Sequence, residues 1–475
     1  MEGKQSRVRF ADEDGGRLST AYRQIVAKMP FLDVKEQEQQ QQPEELQEEE
    51  EEQKQQEEVE VEEEEHEGSP NLCQRCKELD LDMIFNGLCL DLDSGSEMVL
   101  SLGILDKDSP CGLCQFFYSM RRPNLTGETT GFYHLRKYIL ENYHMPKIWS
   151  NRFSSYTVWA VDPGSGSQDL EWGGHGLSIQ HMTDRPQLLF LPQSTQPCPY
   201  PEEWTFKGLP VSETSINYRL LRHWIMECED HWGCRNSSSE LINAYTGPTI
   251  RVIDCATRHI VDRQPGDRYI ALSYVWGNQP LVGNKGSRVL PTNAPKVVED
   301  AMVVVKRLGQ QYLWVDQYCI DQHNDQDKHA QIKNMDRIYE GSHATIVAFS
   351  GVDSSSGLPG VSSIPRTRQH RFTSSKVTLL GFTPPITRQP LDASIWMKRG
   401  WTFQEALLSR RLLIFTQEQV YFLCSRGWWV ESCTRRSWMR NTTNKFKPFL
   451  PLATVMTVKS ASASTIHWAI KILLA

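Results

Sequence analysis

Apolar positions between Tyr269 and Cys424 fall into short runs separated by longer stretches of helical spacing. Residues 271–275, 312–315 and 344–349 are apolar runs of strand length, each followed by small or polar residues. Between them Val297, Val298, Ala301, Met302, Val305 and Leu308 recur at helical spacing, with Gly309 as the stop. Residues 328–339 repeat the pattern through Ile332, Met335, Ile338 and Tyr339, with Gly341 behind them. A helix over 401–408 and strands over 411–415 and 419–424 complete the series. Strands alternating with helices predict an α/β fold, a mostly parallel sheet flanked by helices and joined by right-handed crossovers. Ligands of such sheets bind beyond the carboxyl ends of the strands. That rule directs attention to Tyr274, Trp276 and Gly277 after the first strand, and to Asp316 after the second.

Upstream the pattern is less regular and predicts an α+β region over 70–265. A helix-like run spans 133–143. Alternation over 156–161 reads as a strand, and Pro163-Gly-Ser-Gly166 as its turn. Residues 178–182 and 187–191 are further strand candidates. Residues 217–229 predict a helix with Leu220, Leu221, Trp224, Ile225 and Cys228 on one face. Within the α/β part (266–430), residues 350–395 are rich in Ser, Pro and Gly and read as an insertion, mostly loop. Residues 431–475 form an irregular tail.

Charge changes the picture of the N-terminus. The formal net charge is -8, yet residues 44–65 alone carry 14 Glu against one Lys, which leaves the remainder at about +5. Residues 34–69 are almost wholly Glu and Gln with few apolar side chains, and 1–69 is expected to be a disordered, Glu/Gln-rich arm, either a plain linker or an acidic interaction segment. No basic run is interleaved with aromatics, so nucleic acid is not an expected partner. The first residues lack the apolar core of a secretory signal, and no run of about 18 apolar residues predicts a membrane span. A cytoplasmic, reducing location is therefore expected. There the 12 cysteines serve as thiols or metal ligands instead of disulfides.

Cys73-Gln-Arg-Cys76 and Cys111-Gly-Leu-Cys114 form two CxxC pairs. Four thiolates at this spacing suit a tetrahedral zinc ion, although the gap between the pairs exceeds that of a usual zinc ribbon. The competing reading is a set of buried thiols packed as small apolar groups. Cys228, His231 and Cys234 offer a second set of soft ligands, or a helix end with His231 favoured by the dipole. Trp276 suits stacking on a base, or a place in the core. Asp316 and Asp321 suit a cation or ribose, or the capping of a turn. Gln322 and Gln404 are expected to bond loop backbone.

Three ordered blocks carry a resemblance: Ser273-Tyr-Val-Trp-Gly277, then Leu313-Trp-Val-Asp316 with Cys319-Ile-Asp-Gln322, then Arg399-Gly-Trp-Thr-Phe-Gln-Glu405. Together with 408–415 they resemble the fungal heterokaryon incompatibility (HET) domain over about 266–430. Val275 and Asp321 depart from the residues frequent there. The resemblance implies a role in nonself recognition and programmed cell death. It also implies a fold similar to the Toll/interleukin-1 receptor (TIR) domain. The partners it implies are other incompatibility or immune-receptor proteins, or further copies of the chain. TIR domains that cleave NAD carry a Trp-Cys-x-x-Glu helix whose Glu is catalytic. By that likeness Glu405 becomes a candidate catalytic carboxylate, with Tyr274, Trp276, Gly277, Asp316 and Trp401 around NAD as substrate. A carboxylate is needed because positive charge develops on the sugar. Otherwise Glu405 pairs with Arg399 or Arg410 and fixes its helix. The alternatives are thus a self-assembling interaction module, an NAD-cleaving hydrolase, and a zinc-dependent nucleic-acid binder.

Overall fold

The structure is a computed structural model. It describes residues 71–81, 84, 99–121, 132–141, 155–163, 189–193, 208–229, 247–278, 287–375, 377–382, 394–399, 405–406, 408–424, 427–433 and 437–438. Every described residue lies in the unit Ser69–Ala475. The acidic arm, the strand expected over 178–182, and His231, Cys234, Trp401 and Gln404 lie outside the described residues.

The first elements are α1 (Gln74–Glu78), β1 (Val99–Ile104), α2 (Gly112–Met120), β2 (Phe132–Glu141), β3 (Ser155–Pro163) and β4 (Leu189–Gln193). The run expected to be helical from 133 is strand β2. Tyr133 and Leu135, two apart, are both buried, and β2 pairs antiparallel with β3 from Tyr133 to Glu141. Sheet pairing outweighs the weak helical spacing, because period-two burial is satisfied only by a strand.

Next come α3 (Tyr218–Glu229), β5 (Arg251–Asp254), β6 (Ile260–Asp262), β7 (Tyr269–Ser273), α4 (Lys296–Arg307), β8 (Tyr312–Trp314) and α5 (Asp316–Cys319). Asn217 opens α3, its Oδ1 accepting from Leu220 N at 2.9 Å. Helix α4 buries the expected face, and Gly309 follows it at φ +71°. The helix expected over 328–339 is two helices, α6 (Asp325–Lys333) and α7 (Met335–Gly341). They meet at Asn334, whose side chain donates to Ala330 O at 2.7 Å. Such side-chain bonds to backbone compete with the helical ladder.

Strands β9 (Ala344–Ala348), β10 (Arg371–Thr373), β11 (Thr378–Phe382), β12 (Arg411–Phe415), β13 (Val420–Cys424), β14 (Gly427–Val430) and β15 (Ser437–Trp438) complete the described set. Nine strands form one mixed sheet in the order β15-β14-β13-β12-β9-β7-β8-β5-β6. The pairs β12–β9, β9–β7 and β7–β8 are parallel. The flanking pairs are antiparallel. The expectation of a mostly parallel sheet is thereby corrected. The parallel part is a four-stranded centre, and hairpins extend it on both sides because short connections after Asp254 and Phe415 leave no room for a crossover helix.

The insertion also holds strands. β10 and β11 pair with each other, and β11 pairs with β4, closing a six-stranded antiparallel sheet in the order β1-β2-β3-β4-β11-β10. Two buried charged groups tie the rest of the insertion down. Asp300 on α4 accepts from Lys296 Nζ, Leu358 N and Ser362 Oγ at 2.8–2.9 Å. Arg366 donates to Glu431 at 2.5 Å and to the carbonyls of Ser212 and Ser215. Glu431 in turn accepts from Val420 N at 3.0 Å.

Candidate functional site

The parallel strands aim the loops after β7, β8 and β9 at one edge of the sheet. Ser273 is the last residue of β7 and is buried, as is Glu405 at 6% exposure. Ser273 Oγ donates to Glu405 Oε2 at 2.5 Å and accepts from Trp396 Nε1 at 2.9 Å. Tyr339 of α7 donates its hydroxyl to Leu272 O at 3.2 Å, one residue before Ser273. Residues 405, 406 and 408 are helical, and Glu405 O accepts from Ser409 N at 3.1 Å. Glu405 therefore clamps its helix to the end of β7.

Burial, followed by the charge of nearby Asp316, pushes the Glu405 carboxyl up to about 8. Its bond to Ser273 and the Arg399 charge oppose that shift. The group is thus mostly protonated at neutral pH. Arg410, an alternative partner by sequence, reaches Glu340 at 3.4 Å.

Beside this clamp stands a second set. Trp276 Nε1 donates to both oxygens of Asp316, at 2.9 and 3.1 Å, and Gln317 N donates to Asp316 Oδ1 at 2.7 Å. Burial pushes Asp316 up to about 6. Tyr274 OH donates to Gln317 Oε1 at 2.7 Å, and its carbonyl accepts from Arg399 Nη1 at 3.1 Å. Both Trp276 and Asp316 are half-buried, and Gly277 is exposed. Gly277 has φ +71°, and a Cβ there would stand 2.5 Å from Asp353 Cβ. The turn and the packing of Asp353 both call for glycine at this position.

The structure thus brings Tyr274, Trp276, Asp316 and Glu405 into one cluster. Asp321 stands apart and caps a turn, accepting from His323 N at 3.0 Å. Gln322 bonds loop backbone, its Nε2 donating to Asp316 O at 3.0 Å. Sequence reasoning missed Ser273, Tyr339 and Trp396 as members. Ser273 carried a signal, a small polar residue ending a fully apolar strand.

The two CxxC pairs also meet. The Sγ atoms of Cys73, Cys76, Cys111 and Cys114 all lie within 4.8 Å of one another. Cys228 is buried instead beside Arg411, whose Nε lies 3.3 Å from its sulfur.

Residues 269–405 match the family model described as Heterokaryon incompatibility protein (HET). The matched HET segment runs from the first residue of β7 to Glu405, and so contains the whole cluster. A curated relative is Heterokaryon incompatibility protein 6, OR allele, of Neurospora crassa, 29% identical over 97 residues. The alignment covers 18% of this chain and 14% of that protein. No solved structure matches the chain. Among the described residues no helix is long and apolar enough to cross a membrane.

Proposed function

We propose that the chain acts in fungal incompatibility, its HET segment signalling cell death through self-assembly and protein interaction. The match over 269–405 carries this reading. The parallel centre β12-β9-β7-β8 is read as TIR-like, with the acidic arm (1–69) and the Cys-containing region (70–265) as attached parts. Other incompatibility proteins, or copies of the same chain, are its expected partners.

The environment of Glu405 favours the interaction module over NAD cleavage. A carboxyl that stabilises positive charge on a sugar must be ionised and must face the substrate. Glu405 is buried, hydrogen-bonded on the protein side and largely protonated at neutral pH. Its role in this reading is to lock the helix onto β7. Trp276, Asp316 and Gly277 form the rim that a partner meets.

The test is inducible production of the full chain in a filamentous fungus, with viability and assembly state followed together. Growth arrest that accompanies higher-order assembly is expected. A folded, abundant chain that stays monomeric and leaves growth unchanged contradicts the reading. Nicotinamide release from NAD by the purified chain, abolished by Glu405→Gln, transfers the assignment to the hydrolase.

A further inference from the structure

The cysteine cluster has the geometry of a closed metal site. Cys73 and Cys111 stand at the N-caps of α1 and α2, and Cys76 and Cys114 lie three residues further on, within those helices. The Cys114 sulfur is 3.8 Å from that of Cys73 and 3.5 Å from that of Cys76. Four sulfurs placed tetrahedrally at about 2.3 Å from one ion stand about 3.8 Å apart. A disulfide would bring a pair to about 2.05 Å, whereas all four are free thiols.

Iron–sulfur clusters attach their cysteines to different irons and spread the sulfurs apart. A group this tight fits one ion, and an all-thiolate tetrahedron suits zinc. Three of the four cysteines are buried among Leu81, Leu102, Leu105 and Phe117. Arg75 Nη2 donates to Cys114 Sγ at 3.3 Å, and Nη1 donates to Leu102 O. Four thiolates around a divalent ion leave an excess of two negative charges, and this guanidinium offsets part of it.

We propose that Cys73, Cys76, Cys111 and Cys114 bind one zinc ion. The four thiols give up their protons to it, and it staples α1 to α2. All four coordination positions are filled by protein, so the ion is structural. Helix α2 carries the effect to distant sequence. Phe116 packs on Phe372 of β10 with ring centroids 6.3 Å apart, and Met120 lies against Gly381 of β11. The zinc thereby supports the hairpin that the HET segment's insertion contributes to the six-stranded sheet.

The full chain, purified under reducing conditions, is expected to carry about one zinc per molecule by elemental analysis. Exchange for cobalt should give a tetrahedral thiolate spectrum with sulfur-to-metal charge transfer. The pair Cys76→Ser and Cys114→Ser should lose the metal. Chelation of the wild-type chain should speed amide exchange in β10 and β11 while β7 and β9 stay protected. A folded, reduced chain that takes up neither zinc nor cobalt overturns the proposal. So does stoichiometric iron in place of zinc, metal retained by the double variant, or a disulfide within the cluster. Because the cobalt spectrum is read on the wild-type chain, misfolding of the variant does not blunt the test.

Discussion

Glu405 shows how one side chain sets a pH dependence. In the folded chain its carboxyl is pushed up to about 8, against an ordinary value of 4.5. Between those limits the folded chain holds a proton that the unfolded chain has released. Its stabilising contribution is therefore complete below about 4.5 and is lost as pH rises through 8. Glu405→Gln keeps a neutral acceptor for Ser273 and removes the titration. The melting temperature of that variant should fall less than the wild type's between about pH 5 and 8. Glu405→Ala, which strips the acceptor from Ser273, should cost about 1–3 kcal/mol in denaturant melts. Buried His343 runs the other way. Burial holds it down at about 3, so its contribution is present above 6.5 and fades as pH falls toward 3. At Gly277 the left-handed backbone and the nearby Asp353 both oppose a side chain. Gly277→Ala should cost about 1–2 kcal/mol from the backbone conformation, before any clash is relieved.

Elements with one apolar helix face or one unbroken apolar run were the legible ones. Strands β7, β8, β9, β12 and β13 and helices α3 and α4 lie within a residue or two of their expected places, because the helices bury one face at helical spacing and β7, β9, β12 and β13 are short runs buried at every position. What the pattern hid depended on distant partners. β2 looked helical until β3 supplied its pairing, and β10 and β11 sit in a segment whose composition spells loop. Their partner β4 lies almost 200 residues upstream, and no local signal reports such a pairing. The split between α6 and α7 hinges on one Asn side chain. Within the site, Tyr274, Trp276, Asp316 and Glu405 were named from motifs. Trp396 and Tyr339 were not, since an indole that donates to Ser273 or a phenol that donates to the Leu272 carbonyl looks like any other core aromatic.

The buried pair Arg366–Glu431 illustrates how the insertion is held. It joins the 212–215 segment, the insertion and the end of β14 around one fully enclosed guanidinium. Arg366→Ala strands the Glu431 charge in the interior and should destabilise by about 3–5 kcal/mol in equilibrium unfolding. The double change Arg366→Met with Glu431→Leu should recover much of that loss.

Across the whole molecule, three of the four central parallel strands, β7, β8 and β9, lie in the segment that matches the HET model, with Tyr274, Trp276 and Asp316 just beyond the ends of β7 and β8. A second, antiparallel sheet borrows two strands from within that segment. The cysteine cluster braces the second sheet, so metal loss and a change in the HET segment's insertion are expected together. We propose that the segment matching the HET model works by assembly, with Glu405 as a clamp. Growth arrest by the Glu405→Gln chain, produced in a filamentous fungus at wild-type abundance, addresses it most directly. Arrest equal to that of the wild type is expected. A folded Glu405→Gln chain that assembles normally yet leaves the cells growing would contradict it, and would point to chemistry at the carboxylate.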